Sequence, residues 1–469
     1  MPINSFLYPA PSTPTFPYQV ANSCRFNDGS SDNLSRTTGT PSNRKKFTLS
    51  FWCKISGASG NLDPFGIHTD GNTALWLEVP NNGTKRLKFV DYRSGSENAK
   101  LETNRLFRDV SGWMSIILIC DSTLSTSSDR LKLYINGVRE TSFANSIYPS
   151  QNYDFTNNIG TTTVGKNYDA NYFDGYLAEF VYCDGQALAH TDLGEFDSDS
   201  PNIWKPIDVS GLTFGNEGFY LDFENASNLG ADVSGNSNNF TVNNLTSVDQ
   251  STDTCTNNFA TWNPLHPGVT RFNNCVFADG NLEFESNETG YVVYPIAKST
   301  IGVSSGKWYA EFKVLEENAI LGISDGISNE NYIGGSTSNG VAYQKDGQKR
   351  VGNSQSSYGN SYTADDIIGV AMDLDNNRLF FSKNGTFQDS GDPTSSTGAI
   401  TIPSSSTGVF HFATLDTVSS GTSKVTANFG SPAFSISSGN SDANGHGNFE
   451  YSVPSGYFAL CTKNLAEFG

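Results

Sequence analysis

The chain has 469 residues, with 48 acidic and 29 basic side chains and a net charge of −19. A chain of this length exceeds one hydrophobic core, and one this acidic is a poor partner for nucleic acid or an anionic membrane, which both require a basic face. Charged residues make up only 16%, whereas 45 glycines and 32 phenylalanines stand among abundant Ser, Asn and Thr, the composition of strands and turns rather than helices.

Residues 1–20 carry five prolines, with Phe6, Leu7, Tyr8, Phe16 and Tyr18 between them. Proline blocks helix and central strand, so this stretch reads as an extended arm. It is either a solvated tail or, as its aromatics suggest, a segment that docks on another subunit. It has neither a basic n-region nor an apolar h-region, so no signal peptide is expected. The longest apolar run, residues 116–120, is too short to span a membrane. The seven cysteines (Cys24, Cys53, Cys120, Cys183, Cys255, Cys275 and Cys461) have no metal-knuckle or redox spacing. Free thiols in a reducing cytoplasm are expected, with no cofactor and no metal.

Residues 21–200 read as many short strands. Phe47, Leu49, Phe51, Cys53 and Ile55 alternate with Thr48, Ser50, Trp52 and Lys54, the period of a strand. Residues 113–120 form a fully buried strand, and RLKLYINGV (130–138) is a hairpin closed by Asn136-Gly137. Only residues 186–193 suit a helical turn or two. FTLSFWCKI, RLKLYINGV and FDGYLAEFVYCDGQAL resemble the concanavalin A-like (laminin-G-like) jelly roll over about 170 residues.

Residues 201–270 form a connector that contributes a strand or two, since Phe219, Tyr220, Leu221 and Phe223 do not suit a free linker. Its 215–245 stretch looks like the opening of a further laminin-G-like repeat that is not continued. Residues 271–435 form a second run of strands. GKWYAEFKV (306–314), LGISD, NYIGG, NGVAYQKDG, DIIGVAMDLDNNRLFFSKNG (366–385) and KVTANFG resemble, in order and spacing, the SPRY domain. Residues 436–469 end in an apolar strand, GYFALCTKNL, that packs back on a neighbouring sheet. The fold class is all-β: two antiparallel β-sandwich (jelly-roll) domains in tandem behind an extended N-terminal arm.

Chemistry-bearing patterns are few. Glu195-Phe-Asp197-Ser-Asp199 resembles the paired carboxylates of concanavalin A-like glucanases. It ends in Asp, however, and sits before Pro201 in a loop, so it reads as a solvated acidic stretch. Asp373-Leu-Asp375-Asn-Asn377 starts like a calcium loop but has Arg378 and Asn384 where Gly and Glu are needed, so it is a turn. Asp91, Asp121, Asp169 and Asp174 are the acidic candidates for a rim ion, otherwise solvated. The five histidines do not pair at ligand spacing.

Aromatic, polar loops remain as ligand-binding candidates: Tyr168 and Tyr172 in the first domain; Tyr332, Tyr343, Asn353, Tyr358 and Tyr362 in the second. Tyr332 and Tyr343 also suit a packed core, whereas Tyr358 and Tyr362 lie in SSYGNSY and are expected to be exposed. The tandem, with its connector, resembles structural or fibre proteins of marine tailed bacteriophages. That resemblance implies a non-enzymatic virion protein, a tail or head fibre or capsid decoration. It would bind a host-surface glycan or protein, contact other virion proteins through the arm, and assemble as a homo-oligomer, a trimer being favoured. A purely structural cement protein is the alternative, and a glycan hydrolase a distant third.

Overall fold

The computed structural model describes residues 17–56, 62–80, 85–157, 159–168, 171–266, 274–286, 294–326, 330–416 and 422–469. Phe6, Leu7, Tyr8, Phe16 and Asp169 lie outside the described residues. Two sandwiches follow one another, each made of two stacked sheets paired antiparallel apart from one short parallel contact.

The first sandwich packs two eight-stranded sheets. One is centred on Lys46–Ile55, which pairs with Met114–Asp121 on one side and Gly175–Asp184 on the other. The other runs through Ser96–Leu106, Arg86–Arg93, Thr73–Val79 and Leu62–Asp70. Phe47, Leu49, Phe51, Cys53 and Ile55 point between the sheets into the main core, as their alternation predicts. The intervening Thr48, Ser50, Trp52 and Lys54 are buried as well. Their face is covered by Leu193, Trp204, Val209, Phe214 and Tyr220 from the chain that follows the last long strand.

The 201–251 stretch therefore completes the first sandwich instead of opening another repeat. Phe219–Leu221 pairs with Gly175–Asp184, Thr241–Asn243 with Asn33–Thr37, and Gln250–Ser251 with Ser23–Phe26. The predicted helical turn is a single 3-10 turn at His190–Asp192. The Asn136-Gly137 and Asn384-Gly385 pairs both close two-residue hairpins in left-handed conformation (φ +48° and +73°; +48° and +78°). That geometry matches strand twist and selects Asn-Gly.

The second sandwich stacks a nine-stranded sheet, built around Lys307–Glu317 and Ile367–Asp373, on a six-stranded sheet that includes Ala319–Ser324 and His411–Asp416. Trp308, Ala310, Phe312 and Val314 fill the space between them. The C-terminal stretch differs from expectation. Only Phe458–Ala459 is strand, parallel to Lys307–Glu317, and Thr462–Phe468 is a helix. Leu465 and Phe468, three residues apart, pack against the second core, a helical spacing too short to read as one in sequence.

The sandwiches are joined by buried polar contacts. Arg25 donates to Pro432 O (3.2 Å), the Ser251 and Ser431 hydroxyls meet at 2.7 Å, and Tyr176 donates to Gly280 O (3.0 Å).

Candidate functional site

The tyrosines of the second sandwich divide into two groups. Tyr343, Tyr358 and Tyr362 sit together in the core, with Tyr343 5.6 Å from Tyr358 and 5.3 Å from Tyr362 between ring centroids. The expected exposure of Tyr358 and Tyr362 is corrected: they are 6% and 2% exposed. Their segment folds back over the sheet end, where the Tyr358 and Gly359 N–H groups both donate to Gly347 O. Each hydroxyl is satisfied inside: Tyr362 reaches Ala319 O (2.9 Å) and Tyr343 O (3.0 Å), Tyr358 accepts the Phe381 N–H (3.1 Å), and Tyr343 donates to Asn360 O. Tyr332 and Asn353 instead share Arg350, whose guanidinium lies 4.3 Å over the Tyr332 ring and donates to Asn353 Oδ1 (2.7 Å). In the first sandwich, Tyr168 packs on Trp76 (5.3 Å) and Tyr172 lies under Lys166 (5.4 Å). These two are not gathered with the others into one surface.

A different cleft, of about 700 Å³, lies on the covered outer face of the first sandwich. Trp52, Trp113 and Trp204 line it together with Gln19, Asn136, Asn202, Thr256, Asn258, Thr462 and Lys463. Trp52 comes from the central strand, Trp113 from the residue before Met114–Asp121, and Trp204 from the short Trp204–Lys205 strand. The hairpin tip seats Trp204: a Cβ at Gly137 would fall 2.1 Å from its ring, so glycine is required there.

Trp113 is fixed from behind. Its indole N–H donates to Asp253 Oδ1 (2.8 Å), and Asp253 Oδ2 pairs with Lys54 Nζ at 2.7 Å. Lys54 also donates to Asn258 Oδ1 (2.8 Å) and Phe259 O (2.9 Å), and this buried pair is only 1% exposed on either side. The network holds one aromatic face and one amide of the cleft in place, which is preorganisation for a ligand. Cys255 also lines the cleft. Burial, then the negative charge of Glu179, pushes its thiol well above the usual range, which disfavours the thiolate form.

Glu179 is the most unusual residue nearby. It adopts φ +50° in the irregularity between Ala178 and Val181, where the strand bulges against Lys46–Ile55. Its Oε2 receives the hydroxyls of Tyr220 (2.7 Å) and Tyr18 (3.1 Å), and burial raises its carboxyl to about 7. Tyr18, expected in the arm, is thus tied to the first sandwich.

Residues 28–191 match the model Laminin_G_3, described as concanavalin A-like lectin/glucanases superfamily, and residues 307–415 match the SPRY domain. A concanavalin A-like domain and a SPRY domain stand in tandem in this chain. No curated protein matches it. Among solved structures, the SPRY domain of human HERC1 is 18% identical, covering 33% of this chain and 91% of that one at a TM-score of 0.26. The native heptameric SAP-like pentraxin from Limulus polyphemus is 14% identical, covering 37% and 80% at 0.28. A proposed carbohydrate-binding protein from Bacteroides ovatus ATCC 8483 is 14% identical, covering 48% of this chain and 59% of that one at 0.35. Trp52, Trp113 and Asn136 belong to the concanavalin A-like match, whereas Gln19, Trp204, Asn258 and Lys463 lie outside both matches. The cleft is therefore assembled by the segments that wrap the domain.

The acidic candidates are engaged locally. Glu195 opens a two-residue strand paired with Trp204–Lys205, not a loop, and Lys205 Nζ lies 3.3 Å from both Glu195 and Asp197. The N–H groups of Ser200 and Asp199 hold Asp197 below its ordinary range. Asp373 accepts the Asn376 N–H (3.0 Å), which makes DLDNN a turn as expected. Asp91 accepts from Thr156 and Tyr153, Asp121 pairs with Lys46 (3.1 Å), and Asp174 accepts from Ser56 (2.9 Å). No three His, Cys, Asp or Glu side chains cluster as metal ligands among the described residues.

Sequence reasoning missed the tryptophan cleft because its residues are spread from position 19 to position 466. One signal was present: Trp52 stands on the polar face of an alternating strand, beside Ser50 and Lys54.

Proposed function

We propose that this chain is a non-enzymatic binding protein that recognises glycan in the Trp52–Trp113–Trp204 cleft. The carrying observation is the cleft itself: the partly exposed Trp113 indole, backed by the buried Trp52 and Trp204, stands beside Gln19, Asn136, Asn202 and Asn258. Flat aromatic faces take up the C–H face of a pyranose, and amides bond its hydroxyls. Its volume falls in the usual range of small-ligand sites. The lining among the described residues contains no carboxylate and no histidine, which supports binding over hydrolysis, since retaining and inverting glycosidases need two carboxyl groups at the sugar.

In its fuller form the proposal is a tailed-bacteriophage virion protein that adheres to a host-surface glycan. Contacts to other virion proteins through the N-terminal segment and assembly as a homo-oligomer, trimeric by preference, are part of it. Its support is the concanavalin A-like and SPRY tandem together with the connector's resemblance to phage fibre proteins. No helix among the described residues is long and apolar enough to cross a membrane.

The test is a glycan array followed by tryptophan-fluorescence titration of the full chain. Binding abolished by Trp113→Ala, and kept in part by Trp113→Phe, is expected. Binding unchanged by Trp113→Ala would move the ligand elsewhere. Absence of any glycan binding, with the chain still incorporated in particles, would favour the structural cement role.

A further inference from the structure

The polar groups of the tryptophan cleft are not balanced. Three of its side-chain acceptors are already used within the chain: Asn136 Oδ1 takes the Ser115 N–H (2.8 Å), Gln19 Oε1 takes Lys463 Nζ (2.6 Å), and Thr462 Oγ1 takes the Asn258 N–H (3.0 Å), while Asn202 brings one amide oxygen and one amide nitrogen. Donors are left over. Asn136 Nδ2 has no partner among the described residues, and Lys463 Nζ keeps two protons beyond the one given to Gln19. Lys463 forms no ion pair among the described residues, and it is the only charged residue of the lining. The nearby Asp253 is neutralised by Lys54 and bonded to Trp113, so it offers the ligand no free carboxylate.

A neutral sugar hydroxyl both donates and accepts, but a carboxylate or sulfate only accepts. A cleft whose charge is the Lys463 ammonium and whose lining among the described residues holds no carboxylate therefore favours the second kind of group. The chain's net charge of −19 works against a polyanion over longer distances, whereas a single anionic group at Lys463 sits inside the screening length.

Resting on the glycan reading above, we propose that the cleft selects a glycan bearing one isolated acidic group, a carboxylate or sulfate, which Lys463 and Asn136 receive while Trp113 holds the adjoining ring. The ligand is thus an acidic-ended oligosaccharide and not a polyanionic polymer.

The experiment uses the full chain and matched disaccharides built on glucose, galactose and mannose. Each comes in three forms: ending in one uronic acid, carboxyl-reduced, and 6-sulfated. Calorimetry and tryptophan fluorescence read the affinity. The acidic member of the preferred series is expected to bind about tenfold more tightly than its reduced form, the size of one charge-assisted hydrogen bond. Lys463→Met is expected to erase that gap by weakening the acidic member far more than the neutral one, and Lys463→Gln to restore little of it. The carboxylate and sulfate arms tell which anion is used. Equal or tighter binding of the reduced sugar, or a gap that survives both Lys463 variants with unchanged melting temperature, would overturn the assignment and leave the glycan reading standing. No response to any member would overturn the glycan reading itself.

Discussion

In the SPRY domain, Tyr343, Tyr358 and Tyr362 turn their rings into the core and spend their hydroxyls on backbone groups of their own domain. On the concanavalin A-like domain, Trp113 stays half-buried, its indole N–H held from behind and its face left to the cleft. Both regions bring aromatics together from separate strands and loops. The difference lies in what covers them. The 358–362 segment closes over its own sheet end and buries Tyr358 and Tyr362, whereas the connector and C-terminal helix cover the first domain's outer face incompletely and leave about 700 Å³ between them. Aromatic residues thus mark a ligand surface only where a ring face stays uncovered after the polar atom has found its partner.

The sharpest break of this comparison is Tyr362→Ala. It removes a buried ring and two carbonyl contacts, and a loss of ~3–5 kcal/mol is expected in urea unfolding, with Tyr362→Phe costing ~1 kcal/mol. Glycan affinity at the tryptophan cleft should not change in Tyr362→Phe. A ligand defect there would make the SPRY tyrosines a binding site after all.

Next in size is Trp113→Ala, which should lower ligand affinity by roughly tenfold or more while costing only ~1–2 kcal/mol of stability, because the ring is only partly buried. Calorimetry and a melting curve on the same sample separate the two effects. A variant that melts far earlier and still binds would reverse the roles assigned to the two regions.

Glu179 gives a pH test. Its carboxyl is raised from 4.5 to about 7 by burial, so between these values the folded chain holds a proton that the unfolded chain has released. Its contribution favours the folded state below about 4.5–5 and is lost as pH rises through about 7. Comparing wild type with Glu179→Gln isolates this contribution, since the partly buried His411 and His446, whose lowered values act in the opposite sense, cancel in the difference. Relative to the variant, the wild type should lose stability from pH 5 to pH 8. Parallel pH profiles would refute the assignment. The smallest effect expected is that of Glu195→Gln: less than about 0.5 kcal/mol, since Glu195 is half-exposed and only shares Lys205 with Asp197. Loss of a measured β-glucan hydrolysis in this variant would instead restore the glucanase reading.

Much of the fold was legible in the chain. Alternation in residues 47–55 and 308–314 marked core strands, and the two Asn-Gly pairs marked hairpins, because a two-residue turn with positive φ admits few other residues. The site was less legible. SSYGNSY looked exposed because its composition is polar, but composition does not record that the backbone folds back over Tyr343. The C-terminal helix was hidden by its length of seven residues.

By itself the sequence determined what local rules govern: strands, tight turns, the order of two sandwich domains and the acidic charge. Those rules act over two to ten residues, so the chain displays them directly. Only the tertiary structure decided which polar face was covered, that Lys54 would meet Asp253 across 199 positions, and that Trp52, Trp113, Trp204 and Lys463 would share one cleft. Such meetings follow from how connector and C-terminus wrap a finished sheet, a long-range outcome that no short window of sequence contains.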